Sequence, residues 1–153
     1  PRSKQLIEAY EKLQEPVIAL IEVDERDLGK YGVVDIEKKL DDTTFKLKDI
    51  VEKPQPNQAP SNLASVGGYV LTPDILKALA AETPDETGEV YLSSALQKHM
   101  RDGEIYGLQI QGRWHDTGNK EKYLEAILDV ALSDPSLAPA VLDYIKSYQG
   151  KSE

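Results

Sequence analysis

The sequence predicts an α/β protein in which a mixed sheet is flanked by helices. Segments with helical periodicity alternate with short apolar runs along the whole chain, and this interleaving is typical of that fold class. The run at residues 17–21 is continuously apolar, as in a strand buried on both faces of a parallel or mixed sheet. A helical segment comes directly before it, which indicates an αβ unit.

The strands follow from short runs of β-branched and aromatic residues. They are predicted at residues 17–21, 31–36, 45–51, 63–71 and 104–110. The second and third strands are close in sequence and form a predicted β-hairpin. Three prolines between residues 53 and 62 exclude a regular element there, so we expect a loop of about ten residues, a length often associated with function.

The helices follow from apolar residues spaced three and four apart. They are predicted at residues 4–13, from Pro73 onward, and at 92–100, 120–132 and 140–148. Thr72 precedes Pro73 as a suitable N-cap, and proline is favoured in the first helical position.

Composition excludes several classes of function. The formal charge of −9 argues against nucleic-acid and anionic-membrane partners, although one lysine, backbone N–H groups or a metal can still hold a phosphate. The absence of cysteine rules out disulfide scaffolds, zinc–thiolate sites and cysteine nucleophiles. No apolar run approaches a transmembrane length and no signal peptide heads the chain, so the expected compartment is the cytoplasm.

A carboxylate and an ammonium group stand side by side where the third strand ends. Glu52 and Lys53 directly precede Pro54, which stops the strand. A sugar phosphate would suit this pair, with the carboxylate binding hydroxyls and the ammonium binding phosphate. Taken alone, however, the two residues are better explained as the solvated end of a strand.

Three other positions have a functional and a structural interpretation. Gly32, at the start of a strand, lets a ligand touch the backbone or only relieves crowding. Gly67 and Gly68 interrupt a strand and indicate either a bulge or a ligand platform. Asp116 follows a strand at a strand-to-helix junction, where it can bind Mg²⁺ or instead form an Asx-turn or a helix cap.

Six motifs occur in an order and spacing that together resemble bacterial UTP–glucose-1-phosphate uridylyltransferases. They are Tyr31-Gly32-Val33, Val51-Glu52-Lys53-Pro54, Ser61-Asn62-Leu63-Ala64, the stretch 66–73, Gly88-Glu89-Val90-Tyr91-Leu92 and His115-Asp116-Thr117-Gly118. The resemblance covers residues 4–131 and the C-terminal, sugar-binding half of that Rossmann-like nucleotide-diphospho-sugar transferase fold. The family's glycine-rich UTP loop and its first magnesium-binding aspartate, which belong to the N-terminal half, are not found in this sequence.

The resemblance implies a role for each candidate residue. Glu52 is expected to hydrogen-bond glucose hydroxyls, and Lys53 to bind the phosphate of glucose 1-phosphate during catalysis. Gly32 and Gly67 would present backbone groups to the sugar, and Asp116 would bind Mg²⁺. The family makes UDP-glucose and pyrophosphate from UTP and glucose 1-phosphate, so this chain would supply the sugar-phosphate side and would be inactive alone.

The resemblance also implies a division of the chain, with residues 1–132 forming the sugar-phosphate-binding part and residues 133–153 a C-terminal helical extension. The last two helices would form a homo-oligomer contact in the full-length enzyme or would only cover the sheet. The sequence departs from the family pattern at Gly68, where arginine is usual, at residues 91–94 and at His115, where tyrosine is frequent.

Two alternatives to this interpretation stay open. One is a related thymidylyl- or adenylyltransferase, since base choice is read mainly by the other half. The second is a non-catalytic sugar-phosphate-binding or assembly module, in which Glu52 and Lys53 bind a ligand without metal chemistry.

Overall fold

A computed structural model describes residues 1–84, 86 and 88–149. The chain divides into two compact units, Pro1–Gly112 and Arg113–Glu153. All strands of the described residues belong to the first unit, and the second consists of a loop and two helices. None of the helices in the described part of the chain combines the length and apolar character needed to cross a membrane.

The first unit contains five strands and three α-helices. The strands are β1 (Val17–Glu22), β2 (Gly32–Lys39), β3 (Thr44–Glu52), β4 (Leu63–Val70) and β5 (Tyr106–Gln109). The helices are α1 (Arg2–Leu13), α2 (Pro73–Ala80) and α3 (Leu92–His99). Every strand and helix predicted for this unit is confirmed. The loop expected after Lys53 contains one regular feature, a single 3₁₀ turn at Pro56–Gln58.

The five strands form a closed mixed sheet in the order β1-β4-β2-β3-β5. Strands β1 and β5 run parallel, whereas the remaining neighbours are antiparallel. This confirms the α/β class and the mixed sheet. The predicted hairpin of β2 and β3 is also confirmed, and its register places Gly32 opposite Glu52. Closure of the sheet, made by β3 pairing with β5, was not evident from the strand patterns.

The apolar core lies on both faces of β1. Ile18 and Leu20 pack into a large cluster that includes Ile75 of α2 and Leu96 of α3. The alternate residues of β1 pack with Leu6 of α1 into a second cluster. Residues 17–20 are all fully buried, as a strand covered on both faces requires.

The paired glycines of β4 form a bulge. The register between β1 and β4 shifts so that Ile18 faces Tyr69 whereas Leu20 faces Ser65. Gly67 and Gly68 have φ angles of +78° and +95°, in the left-handed region that glycine adopts at little cost. The bulge interpretation of this stretch is therefore confirmed.

The second unit contains α4 (Lys120–Ser133) and α5 (Ala138–Gln149), as predicted. The Asn119 side chain caps α4 by accepting hydrogen bonds from the Glu121 and Lys122 amides at 2.9 and 3.2 Å. Both helices carry large apolar side chains that are exposed in this structure. They include Tyr123, Leu124, Ile127, Val130, Leu142, Tyr144 and Tyr148.

Candidate functional site

The carboxylate of Glu52 lies directly over the backbone of Gly32. The two residues are partners in the β2–β3 register, and Gly32 also faces Ser65 of β4. A Cβ atom built on Gly32 would lie 3.1 Å from Oε2 of Glu52 and 3.2 Å from Cγ2 of Ile50. Both contacts are tighter than ordinary van der Waals packing, so glycine at this position makes room for the carboxylate.

Gly32 and Glu52 line a cavity of about 230 Å³ at the end of the hairpin. The other lining residues are Lys30, Tyr31, Ile50, Ser65, Tyr69, Ser93 and Leu96. Four of these residues carry hydroxyl groups, and Lys30 carries an ammonium group. The hydroxyl groups belong to Tyr31, Ser65, Tyr69 and Ser93. Together with Glu52, this lining offers hydrogen-bond donors and acceptors of the kind that bind sugar hydroxyls.

Ser65 and Tyr69 are site residues that the sequence interpretation missed. Their hydroxyl oxygens are 3.3 Å apart, within hydrogen-bond distance. In a regular strand, residues four positions apart are separated by about 13 Å between Cα atoms. The bulge at Gly67 and Gly68 bends β4 between them, and the long tyrosine side chain spans the rest. Polar residues flanking a glycine pair are the signal that points to them.

Lys53 leaves the strand at a turn in the backbone. Its φ angle is +45°, which is rare for a residue with a side chain and costs roughly 1 kcal/mol. Its amide N–H still donates to the Tyr31 carbonyl oxygen at 3.0 Å, and the buried Pro54 follows. The Lys53 side chain is exposed and lies outside the set of described residues that line the cavity.

Gly67 lies outside the cavity lining as well. No atom of the described residues comes within 4 Å of a Cβ built on it, so the space beside its backbone is open. The structure thus brings two of the predicted sugar-site residues, Gly32 and Glu52, together on one cavity. Lys53 follows immediately on the chain, and Gly67 marks the bulge of the neighbouring strand.

Asp116 belongs to the second unit, in the loop before α4. Its Oδ1 accepts a hydrogen bond from the Gly118 amide at 3.0 Å, which is an Asx-turn. The predicted alternative in which Asp116 caps the helix is wrong, because Asn119 lies at the position where its side chain reaches the first free amides of α4. The expected Asx-turn is thus present, and it engages Oδ1 of the Asp116 carboxylate.

The magnesium role of Asp116 stays a prediction. Among residues 1–84, 86 and 88–149, no three His, Asp or Glu side chains form a group able to hold a metal by themselves. Magnesium commonly takes one or two protein carboxylates and fills its other positions with water and substrate phosphates. A single carboxylate such as Asp116 could supply one ligand in that mode of binding.

Arg113 and His115 share one carboxylate of α4. Nε2 of His115 lies 3.1 Å from Oδ2 of Asp129, and the Arg113 guanidinium contacts Oδ1 of the same residue. The hydrogen bond from Arg113 lowers the pKa of Asp129 below its usual range. His115, in the loop before α4, is therefore held against that helix and is only partly exposed.

A second polar cluster joins β3 to the start of β5. The Tyr106 hydroxyl donates to Oε2 of Glu104 at 2.5 Å, and Nζ of Lys46 lies 2.9 Å from the other carboxylate oxygen. The hydrogen bond to Glu104, together with burial, raises the pKa of Tyr106 to about 12. The same hydrogen bond, with that from Lys46, lowers the pKa of Glu104.

The mixed sheet with flanking helices, with a polar cavity at the end of the hairpin, defines an α/β protein. A family model described as nucleotidyl transferase matches residues 2–133. The chain belongs to the nucleotidyl transferase family.

Its relatives of known activity include uridylyltransferases of bacteria. The chain is 38% identical over 146 residues to UTP–glucose-1-phosphate uridylyltransferase 2 of Staphylococcus saprophyticus, covering 95% of this chain and 50% of that protein. It is also 38% identical over 122 residues to the uridylyltransferase of Pseudomonas aeruginosa, covering 80% and 43%. The chain thus spans about half the length of the curated relatives it matches.

Solved structures agree with this relationship. An apo UDP-glucose pyrophosphorylase matches with a TM-score of 0.78 at 37% identity, over 82% of this chain and 45% of that one. The UTP-bound enzyme of Acinetobacter baumannii matches with a TM-score of 0.80 at 30% identity, over 92% and 48%. The chain thus spans about half of each of these structures, and its assignment to the C-terminal half stays a prediction.

Proposed function

We propose that this chain provides the sugar-phosphate side of a UTP–glucose-1-phosphate uridylyltransferase. The observation that carries the proposal is the Glu52 carboxylate lying 3.1 Å from the Cβ position of Gly32, at a cavity lined by hydroxyl groups. A carboxylate held over a bare backbone can accept hydrogen bonds from two adjacent sugar hydroxyls. Ser65 and Tyr69, which also line the cavity, would complete the hydrogen bonds that position the ring.

The remaining roles follow from the chemistry of each residue. Lys53, directly after Glu52, would bind the phosphate of glucose 1-phosphate as a point charge. Gly67 has open space beside its backbone and would present its amide to the sugar. Asp116 would bind Mg²⁺, which when present neutralises phosphate charge. UTP would be bound by the other half of the enzyme, and this chain alone would have no transferase activity.

In this role the chain positions the substrate and contributes no nucleophile of its own. A phosphate oxygen of glucose 1-phosphate attacks the α-phosphorus of UTP, forming the new P–O bond as the bond to pyrophosphate breaks. Holding the sugar through Glu52 and its phosphate through Lys53 converts an encounter in solution into an oriented reaction, a large source of rate enhancement. The positive charge of Lys53 also offsets repulsion between the two phosphate groups.

We further propose a cytoplasmic homo-oligomer for the full-length enzyme. The exposed apolar side chains of α4 and α5, such as Val130 and Tyr144, are candidates for that contact. The domain division is proposed as predicted, with residues 1–132 as the sugar-phosphate-binding part and 133–153 as the helical extension.

Ligand binding to the 153-residue chain tests the sugar-phosphate role. Titration calorimetry or ligand-observed NMR should detect glucose 1-phosphate. Glu52→Gln should weaken the binding of glucose and of glucose 1-phosphate alike, by about tenfold or more, because a hydrogen bond to a charged group contributes about 1.5–3 kcal/mol. Lys53→Ala should weaken the binding of glucose 1-phosphate and leave the binding of glucose unchanged.

Lys48→Ala is the matched control. Lys48 lies on the same strand, is exposed and pairs with Asp35 at 3.2 Å, away from the cavity lining. Its variant should bind both ligands as the original chain does. Equal binding by the original chain and by the Glu52 and Lys53 variants would overturn the proposal. Binding of UTP to this chain alone would overturn the assignment to the sugar-phosphate half.

A further inference from the structure

The loop that carries Asp116 is tied to α4 at two separate points. Near its end, the Asp116 carboxylate accepts from the Gly118 amide, and Asn119 caps the helix. At its beginning, Arg113 and His115 both contact Asp129. Asp129 lies ten residues after Asn119, which corresponds to about 15 Å along a helix. The loop therefore runs back along α4, and its first residues are held far from its last.

The two carboxylate oxygens of Asp129 have different partners. Oδ1 receives the Arg113 guanidinium, and Oδ2 lies 3.1 Å from Nε2 of His115. These partners stand on either side of Trp114, so a single side chain fixes the path of three consecutive residues. The side chain of Asp129 is only 29% exposed, whereas that of Glu125 on the same helix is 55% exposed, and this partial burial strengthens the contacts of Asp129.

We infer that Asp129 is a positioning residue, which through Arg113 and His115 holds the loop so that the Asp116 carboxylate is presented to the metal–phosphate group. The inference rests on the proposed magnesium role of Asp116. It assigns Asp129 no contact with substrate or metal. Asp129 would act from outside the metal's own ligands, by orienting the loop that carries Asp116. Loss of residues that orient metal ligands commonly lowers metal affinity about 10- to 100-fold.

The single tryptophan of the chain makes the first part of the inference directly measurable. Trp114 is half-buried between the two residues that Asp129 holds. In Asp129→Asn, its emission should move to longer wavelength and acrylamide should quench it more strongly, while far-UV circular dichroism keeps its helical signal. Asp129→Glu, which restores the charge, should recover part of the original emission.

Glu125→Gln is the matched control. Glu125 lies one turn before Asp129 on the same helix and pairs with Lys122 at 2.8 Å. Removing its charge should leave Trp114 emission unchanged. An unaltered Trp114 signal in Asp129→Asn would overturn the inference, whatever the role of Asp116 proves to be.

The second measurement concerns the metal in the complete uridylyltransferase that contains this chain. Asp129→Asn should raise the Mg²⁺ concentration for half-maximal rate about tenfold and leave the KM for glucose 1-phosphate nearly unchanged. Direct Mn²⁺ binding, followed by electron paramagnetic resonance, should weaken in parallel. If Trp114 responds while the Mg²⁺ and Mn²⁺ measurements do not, the positioning role is refuted. If Asp116→Asn does not affect the metal either, the fault lies in the proposed magnesium role.

Discussion

Gly32→Ala tests whether the contact between Gly32 and Glu52 matters for binding. The added Cβ would lie 3.1 Å from Oε2 of Glu52 and 3.2 Å from Cγ2 of Ile50. Glu52 is exposed, so its carboxylate can swing away by a few tenths of an ångström, whereas Ile50 is buried and stiff at its β-branch. The backbone at Gly32 lies outside the left-handed region, so alanine adds no conformational strain there.

The two contacts predict a small effect on folding and a larger one on binding. Overpacking against one methyl group should cost about 1 kcal/mol, the lower end of the usual range, or roughly 2–4 °C in Tm for a chain of this size. Displacing the Glu52 carboxylate from its hydrogen-bonding position should weaken the binding of glucose 1-phosphate about tenfold, because this is the loss of affinity expected for one charge-assisted hydrogen bond. Thermal unfolding and titration calorimetry measure the two effects on one sample.

Gly107→Ala is the opposite control for the same chemical change. Its Cβ would lie 2.3 Å from Cδ1 of Leu20 and 3.0 Å from Cδ2 of Leu47, both buried in the core. Overpacking there should cost about 1–3 kcal/mol while ligand affinity is kept. Native affinity in Gly32→Ala would refute the idea that Glu52 must lie over a bare backbone to bind the sugar.

Three further predictions concern stability. Lys53→Gly should raise Tm by about 2 °C, because glycine adopts the +45° φ angle freely; a lower Tm would argue against that conformation. Because folding lowers the pKa of Glu104, the stability that this residue contributes to the fold is complete above pH 4.5, its ordinary pKa. That contribution is lost as the pH falls through the pKa of Glu104 in the folded protein. Because the pKa of Tyr106 is raised to about 12, the stability that Tyr106 contributes is complete below pH 10.0 and is lost as the pH rises toward 12. In Tyr106→Phe, urea midpoints should show a smaller loss of stability at both the acid and the alkaline end, and an unchanged pH profile would exclude the Glu104–Tyr106 pair as the cause. Ile75→Ala should cost about 2–5 kcal/mol in the free energy of unfolding, because Ile75 is fully buried, and a cost below about 1 kcal/mol in denaturant unfolding would show that α2 contributes little to the core.

The elements of this fold were predictable because local patterns determine them. Residues 17–21 are apolar throughout, and the strand they form is buried on both faces. Thr72 and Pro73 predicted the start of α2 at the observed residue, although the Thr72 hydroxyl makes no capping hydrogen bond. Such features depend on neighbours within a few positions, and the sequence displays those directly.

The contacts of the site were less predictable because they depend on register. Gly32 faces Glu52 because of the β2–β3 register, in which two irregularities around Ile36 cancel. The polar connection between the two strands does not mark that register in the sequence. Ser65 and Tyr69 meet across a bulge, and the glycine pair that marks the bulge in the sequence does not indicate how close the bend brings their hydroxyl groups. The partner of His115 lies on a helix fourteen residues further on, where several acids were equally available.

The pairing of β1 with β5 also has a consequence for the order of folding. Val17 is the register partner of Tyr106, about ninety residues later in the chain. At ribosomal rates of about 5–20 residues per second, β1 would wait roughly 5–20 seconds for this partner. During that interval the backbone edge of β1 that later pairs with β5 stays without its partner strand. A nascent chain of this protein is thus expected to expose an unpaired, aggregation-prone strand edge. Chaperone binding would be most useful before residue 109 emerges.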